Sequence, residues 1–77
     1  MIDSSKIVSL IQQEIPDAQV SVEDLNGGGD HLQVNVISKA FKGLPLVKQH
    51  QLVYQALKEE LANDAIHALA LSTSQPS

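Results

Sequence analysis

Phe41-Lys42-Gly43-Leu44-Pro45-Leu46-Val47-Lys48-Gln49-His50, running on through Gln51 to Leu61, is the stretch on which the fold turns. A glycine and a proline make a tight entry, and Pro45 suits the first turn of a helix, where a missing N–H costs nothing. At roughly 100° per residue, Leu46, Val47, His50, Val53, Tyr54, Leu57 and Leu61 fall on one stripe. Lys48, Gln51, Gln55, Lys58 and Glu59 fall opposite. The pattern predicts one helix from 46 to about 62, ended by Asn63-Asp64.

The segments on either side are built to pack on that helix. Downstream, Ile66-His67-Ala68-Leu69-Ala70-Leu71 is apolar on both faces apart from His67. Such a strand is expected to be central or covered on both sides. A polar tail from about residue 72 is expected to fray. Upstream, Leu32, Val34 and Val36 alternate with polar residues over 31–37, and Ala18, Val20 and Val22 do the same from residue 18. Both read as half-buried strands. Asn26-Gly27-Gly28-Gly29-Asp30 between them is a turn able to take positive φ, which predicts an antiparallel hairpin. Ser38-Lys39-Ala40-Phe41 reads as a brief helical turn. At the start, Asp3, Ser4 and Ser5 offer caps for a helix to about Glu14, with Ile7, Leu10, Ile11 and Ile15 on one face and Pro16 as its stop.

A strand, a helical crossover and a second strand normally lie parallel with a right-handed connection. The expected fold class is therefore α+β, a two-layer sandwich. Its mixed three-stranded sheet carries both long helices on one face. With no repeat and no linker, residues 1–77 read as a single domain.

Composition narrows the function. The chain has 77 residues and a net charge of −4, with five lysines, no arginine and no cysteine. Thiol and disulfide chemistry of its own is excluded, which fits a reducing compartment. The acidic balance argues against strong non-specific nucleic-acid binding, although Lys39, Lys42 and Lys48 form a local basic set. No apolar run approaches the ~20 residues of a membrane span. The first residues lack the basic start and apolar block of a signal peptide. The reading is cytoplasmic, with no membrane.

Three histidines are the candidates for acid–base work or metal ligation. His50 lies within the helical stripe and reads as a packed side chain. His31 starts a strand beside the glycine turn, and His67 opens the last strand; each alone is more often structural than functional. No two have metal-ligand spacing on one helix or strand. The carboxylates, Glu59 and Glu60 among them, read as solvated, and the serines cap or fray. The glycine run lacks the ending of a phosphate loop. These features predict no catalytic residue and disfavour an enzyme.

The run Gly29-Asp30-His31-Leu32-Gln33-Val34, then Val36-Ile37-Ser38-Lys39-Ala40-Phe41-Lys42-Gly43, resembles the BolA family. The resemblance continues through Leu46-Val47-Lys48-Gln49-His50-Gln51-Leu52-Val53-Tyr54 and closes on Ile66-His67-Ala68-Leu69-Ala70-Leu71-Ser72-Thr73. It covers nearly the whole chain. It implies an αββααβ fold similar to a class II KH domain. It also implies partnership with a monothiol glutaredoxin of the Cys-Gly-Phe-Ser type, sharing a [2Fe–2S] cluster in iron–sulfur and iron homeostasis. There the glutaredoxin and glutathione would supply thiolates, and this chain a histidine from its last strand, the position of His67. Mixed thiolate–histidine ligation raises the reduction potential. Alone, the chain would hold no cofactor and be a monomer or weak homodimer.

The alternative implied by the resemblance is a DNA-binding transcriptional regulator of stress response and cell morphology. It would use the KH-like turn through Lys39, Lys42, Gly43 and Lys48. The sequence departs from the family at three places. KH domains grip backbone with a Gly-x-x-Gly loop, whereas Gly43-Leu44-Pro45-Leu46 has one glycine. Gln49 stands where the family often has arginine. The loop from Leu25 to Asp30 lacks the cysteine or histidine that often supplies a second ligand, leaving His31 as the nearest candidate. A third reading is a small interaction domain without metal.

Overall fold

A computed structural model describes residues 3–25, 27, 31–63, 66 and 68–76. Helix α1 (Ser4–Glu14) begins where Asp3 accepts the Ser5 N–H at 3.2 Å, as a cap should. It buries Ile7 and Ile11, and the following Ile15 is buried as the chain turns at Pro16. Strands β1 (Gln19–Asp24) and β2 (His31–Ile37) pair antiparallel, from Gln19 opposite Ile37 to Asp24 opposite Leu32. Gly27 takes φ +78° in their connection and donates its N–H to the Asp24 carboxylate at 3.0 Å. The rest of the predicted turn, 26 and 28–30, lies outside the described residues. A 3₁₀ turn (Lys39–Phe41) follows β2, capped by Ser38, whose Oγ accepts the Ala40 N–H.

Helix α2 (Leu46–Ala56) starts directly after Pro45, and α3 (Lys58–Ala62) continues its path. The single helix expected over 46–62 is thus divided at Leu57, where φ is −109° and ψ is 14°. Neither glycine nor proline causes this. The Leu57 N–H is shared between the carbonyls of Val53 and Tyr54, and the Leu61 N–H still reaches the Leu57 carbonyl at 3.0 Å. The backbone leaves helical dihedrals here while hydrogen bonds still run across the break. Leu57 is fully buried at the break.

Strand β3 (Ala68–Ser74) pairs parallel with β2, from His31 opposite Ala68 to Ile37 opposite Ser74. The sheet order is β1-β2-β3. The α+β class, hairpin and parallel return match the expectations. Two details of the last strand do not. It starts at Ala68 and runs through Ser72, Thr73 and Ser74, which were expected in a fraying tail. It is also an edge strand, not a central one: Ala68 and Ala70 are exposed, and Leu69 and Leu71 are half-buried. Alanine lets a residue read as apolar while lying against solvent, so the two-sided apolar run was misleading.

The helices cover one face of the sheet. Leu32, Val34 and Val36 project into the core with Ile7, Ile11, Ile15, Val53, Leu57, Ile66 and Phe41. Glu60 corrects the expectation of a solvated carboxylate: it is 8% exposed, with an oxygen 3.9 Å from the Lys6 ammonium of α1. The predicted helical stripe was also too wide. Val53 and Leu57 are on the buried line, whereas Leu46, Val47 and Tyr54 are exposed. A helix at the rim of a two-layer fold has only part of its circumference against the sheet.

Candidate functional site

The topology sorts the candidate residues to opposite ends of the sheet. His31 is the first residue of β2, and Lys39 comes two residues after its last. Seven residues of strand separate the two ends by about 20 Å. A site joining His31 to Lys39 is thus excluded by geometry.

At the histidine end, His31 is half-buried and lies opposite Ala68 in the parallel ladder. By strand alternation it shares the helix-free face with Gln33 and Asn35. Its carbonyl accepts the Leu25 N–H at 2.9 Å, which draws the hairpin closed beside it. Glu23 and Asp24 stand opposite Gln33 and Leu32, giving this end an acidic margin. His67 lies outside the described residues, but both of its neighbours in the chain are described. Ile66 is buried and donates its N–H to the Glu60 carbonyl at 3.1 Å, and Ala68 is the ladder partner of His31. Among the described residues no group of three His, Asp or Glu side chains is placed to hold a metal ion. With no cysteine in the chain, any thiolate ligand near these histidines would come from another molecule.

At the lysine end, Lys39 and Lys42 line a recess of about 380 Å³ with Gln75 and Pro76. Gly43, at φ +78°, turns the chain from this recess toward α2. Most residues are strained in that conformation, so the glycine has a backbone reason to be there. Lys48 is exposed in the first turn of α2 and does not line the recess. The first turn of α2 has no side-chain cap, because Pro45 holds the N-cap position.

Two fasteners hold this end, and the sequence reading missed both. Asp17, just past α1, accepts the Ser38 hydroxyl at 2.6 Å and the Lys39 N–H at 2.9 Å. The Ser38 hydrogen bond first, and the Lys39 amide second, hold its carboxyl below the usual carboxylate range. Gln49 donates to the Leu44 carbonyl at 2.9 Å and accepts the Thr73 hydroxyl at 2.8 Å, tying the entry of α2 to β3. Gln49, which stands where the family often has arginine, acts here as a clamp. No local pattern signals either contact, since each joins residues more than twenty positions apart. His50 is half-buried in α2 and meets Tyr54 edge-to-face with ring centroids 6.3 Å apart, the packed role expected of it.

Comparison with known proteins agrees with this architecture. The BolA-like protein family profile matches residues 6–77. BolA-like protein 3 of Saccharomyces cerevisiae is 36% identical over 74 residues, covering 95% of this chain and 61% of the yeast protein. The chain therefore spans about three fifths of that relative. Among solved structures, BolA1 from Arabidopsis thaliana superposes with a TM-score of 0.84 at 32% identity, covering 99% of this chain and 95% of that one. The bolA homologue from Coxiella burnetii gives a TM-score of 0.79 at 34% identity, covering 99% and 94%. The chain belongs to the BolA-like family.

Proposed function

We propose that this chain is a non-catalytic adaptor of the cytoplasm that pairs with a monothiol glutaredoxin and shares a [2Fe–2S] cluster with it. The observation that carries the proposal is His67 in the Ile66-His67-Ala68 entry to β3, in a family member with no thiol of its own. When shared, the cluster supplies one-electron redox chemistry or is cargo for transfer. The glutaredoxin and glutathione provide thiolates, and this chain provides a neutral imidazole. Ile66, anchored in the core, holds the chain on one side of that histidine, and the β2–β3 ladder holds it on the other. His31, on the helix-free face opposite Ala68, is the second imidazole candidate. The test is a titration with a monothiol glutaredoxin, glutathione, iron and sulfide, followed by visible absorption and circular dichroism. The wild-type chain is expected to change the cluster spectrum, His67→Ala to remove most of that change, and His31→Ala to remove less. A spectrum indifferent to His67→Ala would overturn the assignment.

A second reading is favoured by one specific feature, the grouping of lysines at one end of the sheet, where the Asp17 carboxylate is engaged by Ser38 and the Lys39 amide. Although the whole chain carries −4, Lys39 and Lys42 share a recess, and Gly43 leads on to Lys48. This end could meet phosphates of DNA while Glu23 and Asp24 face away at the other. Replacing the three lysines with glutamine is then expected to weaken a salt-dependent shift of duplex DNA and to lower the salt slope by about 3. A wild-type chain that gives no shift at low salt would remove this reading.

A further inference from the structure

Helix α2 is apolar over more of its surface than it buries. Val53 is fully buried, and Leu52 and Ala56 are half-buried against the core. Leu46, Val47 and Tyr54, by contrast, are 59%, 65% and 41% exposed. At about 100° per residue these three fall in one arc with half-buried His50. The arc lies between the buried side and the polar side of Lys48, Gln51 and Gln55. Leu46, His50 and Tyr54 are spaced by four, so they form one ridge along the helix. Within it the His50 and Tyr54 rings meet edge to face. An exposed apolar patch with a polar rim is the mark of an interaction surface.

Charge is unevenly spread along the chain, and α2 lies where it is positive. From His31 to Lys58 there is no aspartate or glutamate, and all nine acids stand before or after that run. Four of the five lysines lie within it. Lys48 in the first turn of α2 and Lys58 just beyond its last are both exposed. The helical rise sets them about 15 Å apart. A chain of net charge −4 thus presents a basic margin beside its exposed ridge.

We propose that this ridge docks an amphipathic helix of a partner protein, one whose apolar side is edged with aspartate or glutamate. A ridge of residues four apart seats between the ridges of a second helix. The partner's carboxylates meet Lys48 and Lys58, which steer its approach and set its direction along α2. The same charges disfavour two other occupants. A second copy packed ridge to ridge would set its lysines against these lysines. An anionic membrane repels a chain of net charge −4, and a ridge this short buries too little apolar surface to offset that repulsion. The site goes beyond the cluster and DNA readings, since Leu46, Val47 and Tyr54 belong to neither.

The test uses the full chain and a labelled helical peptide of about 18 residues, long enough to hold a helix in water. Its leucines are spaced by four, with glutamates beside them; a second peptide carries lysines in place of the glutamates. Fluorescence anisotropy is expected to show the glutamate peptide binding at least tenfold more tightly than the lysine peptide. Amide shifts on binding should map to α2. The variant L46S/V47S changes only exposed side chains, so its thermal unfolding should match the wild type, and it should bind the glutamate peptide about tenfold more weakly. K48E/K58E should reverse the preference between the two peptides. No binding of the glutamate peptide at millimolar chain overturns the proposal. So does binding indifferent to L46S/V47S, equal binding of both peptides, or a chain that ignores the peptide and sediments with phosphatidylglycerol vesicles.

Discussion

Phe41→Ala is expected to cost about 3–5 kcal/mol of folding stability. Phe41 is the chain's only phenylalanine and is fully buried. It ends the 3₁₀ turn, and its ring joins that turn to the aliphatic core. Truncation loses the transfer free energy of the ring and leaves a cavity that close-packed neighbours fill only in part. A chain of 77 residues has about 4–12 kcal/mol in total at the usual stability per residue. The substitution therefore removes a large share of it. Thermal unfolding followed by circular dichroism should show a Tm lower by roughly 15–30 °C. Phe41→Leu keeps most of the volume and should cost about 1.5 kcal/mol or less. A loss under about 1 kcal/mol for Phe41→Ala would contradict the central place given to the ring.

Ile66→Ala is the second large effect, and it links packing to function. Ile66 is 2% exposed, and its backbone is held by the Glu60 carbonyl. The truncation should cost about 2–4 kcal/mol, and Ile66→Val about 1 kcal/mol. Because Ile66 directly precedes His67, the proposed pairing predicts that the alanine variant also lowers cluster formation with a monothiol glutaredoxin. Its spectral change should be smaller at a temperature where far-ultraviolet circular dichroism shows it fully folded. Stability and spectrum separate the two claims. If stability falls and the spectrum holds, Ile66 is core alone and does not position the histidine. If stability is unchanged, its burial carries little energy and the packing argument fails.

The parts of the fold legible in the sequence were those with local causes. Alternation in 31–37 reproduced β2 to the residue, because its inner face is wholly buried and its outer face is polar except for Ile37. Asp3 and Pro16 bracketed α1, because capping and the loss of an N–H act within one turn. The parallel return of β3 followed from the handedness of crossovers. The same local reading failed where environment decides: alanines on an edge read like alanines in a core, and Glu60 read as solvated before Lys6 and the helical layer enclosed it.

The candidate site divides in the same way. The histidines and lysines were visible as residue types, and the resemblance in 29–73 named a partner chemistry for them. Their distribution was not visible. Register across a parallel ladder is a property of two distant strands. Only that register puts His31 opposite Ala68 and leaves Lys39 and Lys42 at the far end with Gln75 and Pro76.

By itself, then, the sequence determined the order of the elements, the core faces of β1 and β2, and the family. All of these are set by periodicity, backbone restriction and side-chain chemistry within short windows. The tertiary structure alone decided that β3 is an edge, that the helix is interrupted at Leu57, and that Asp17 and Gln49 fasten the basic turn. Those outcomes depend on which groups distant in the chain compete for the same core surface and the same hydrogen bonds, and no local window contains that competition.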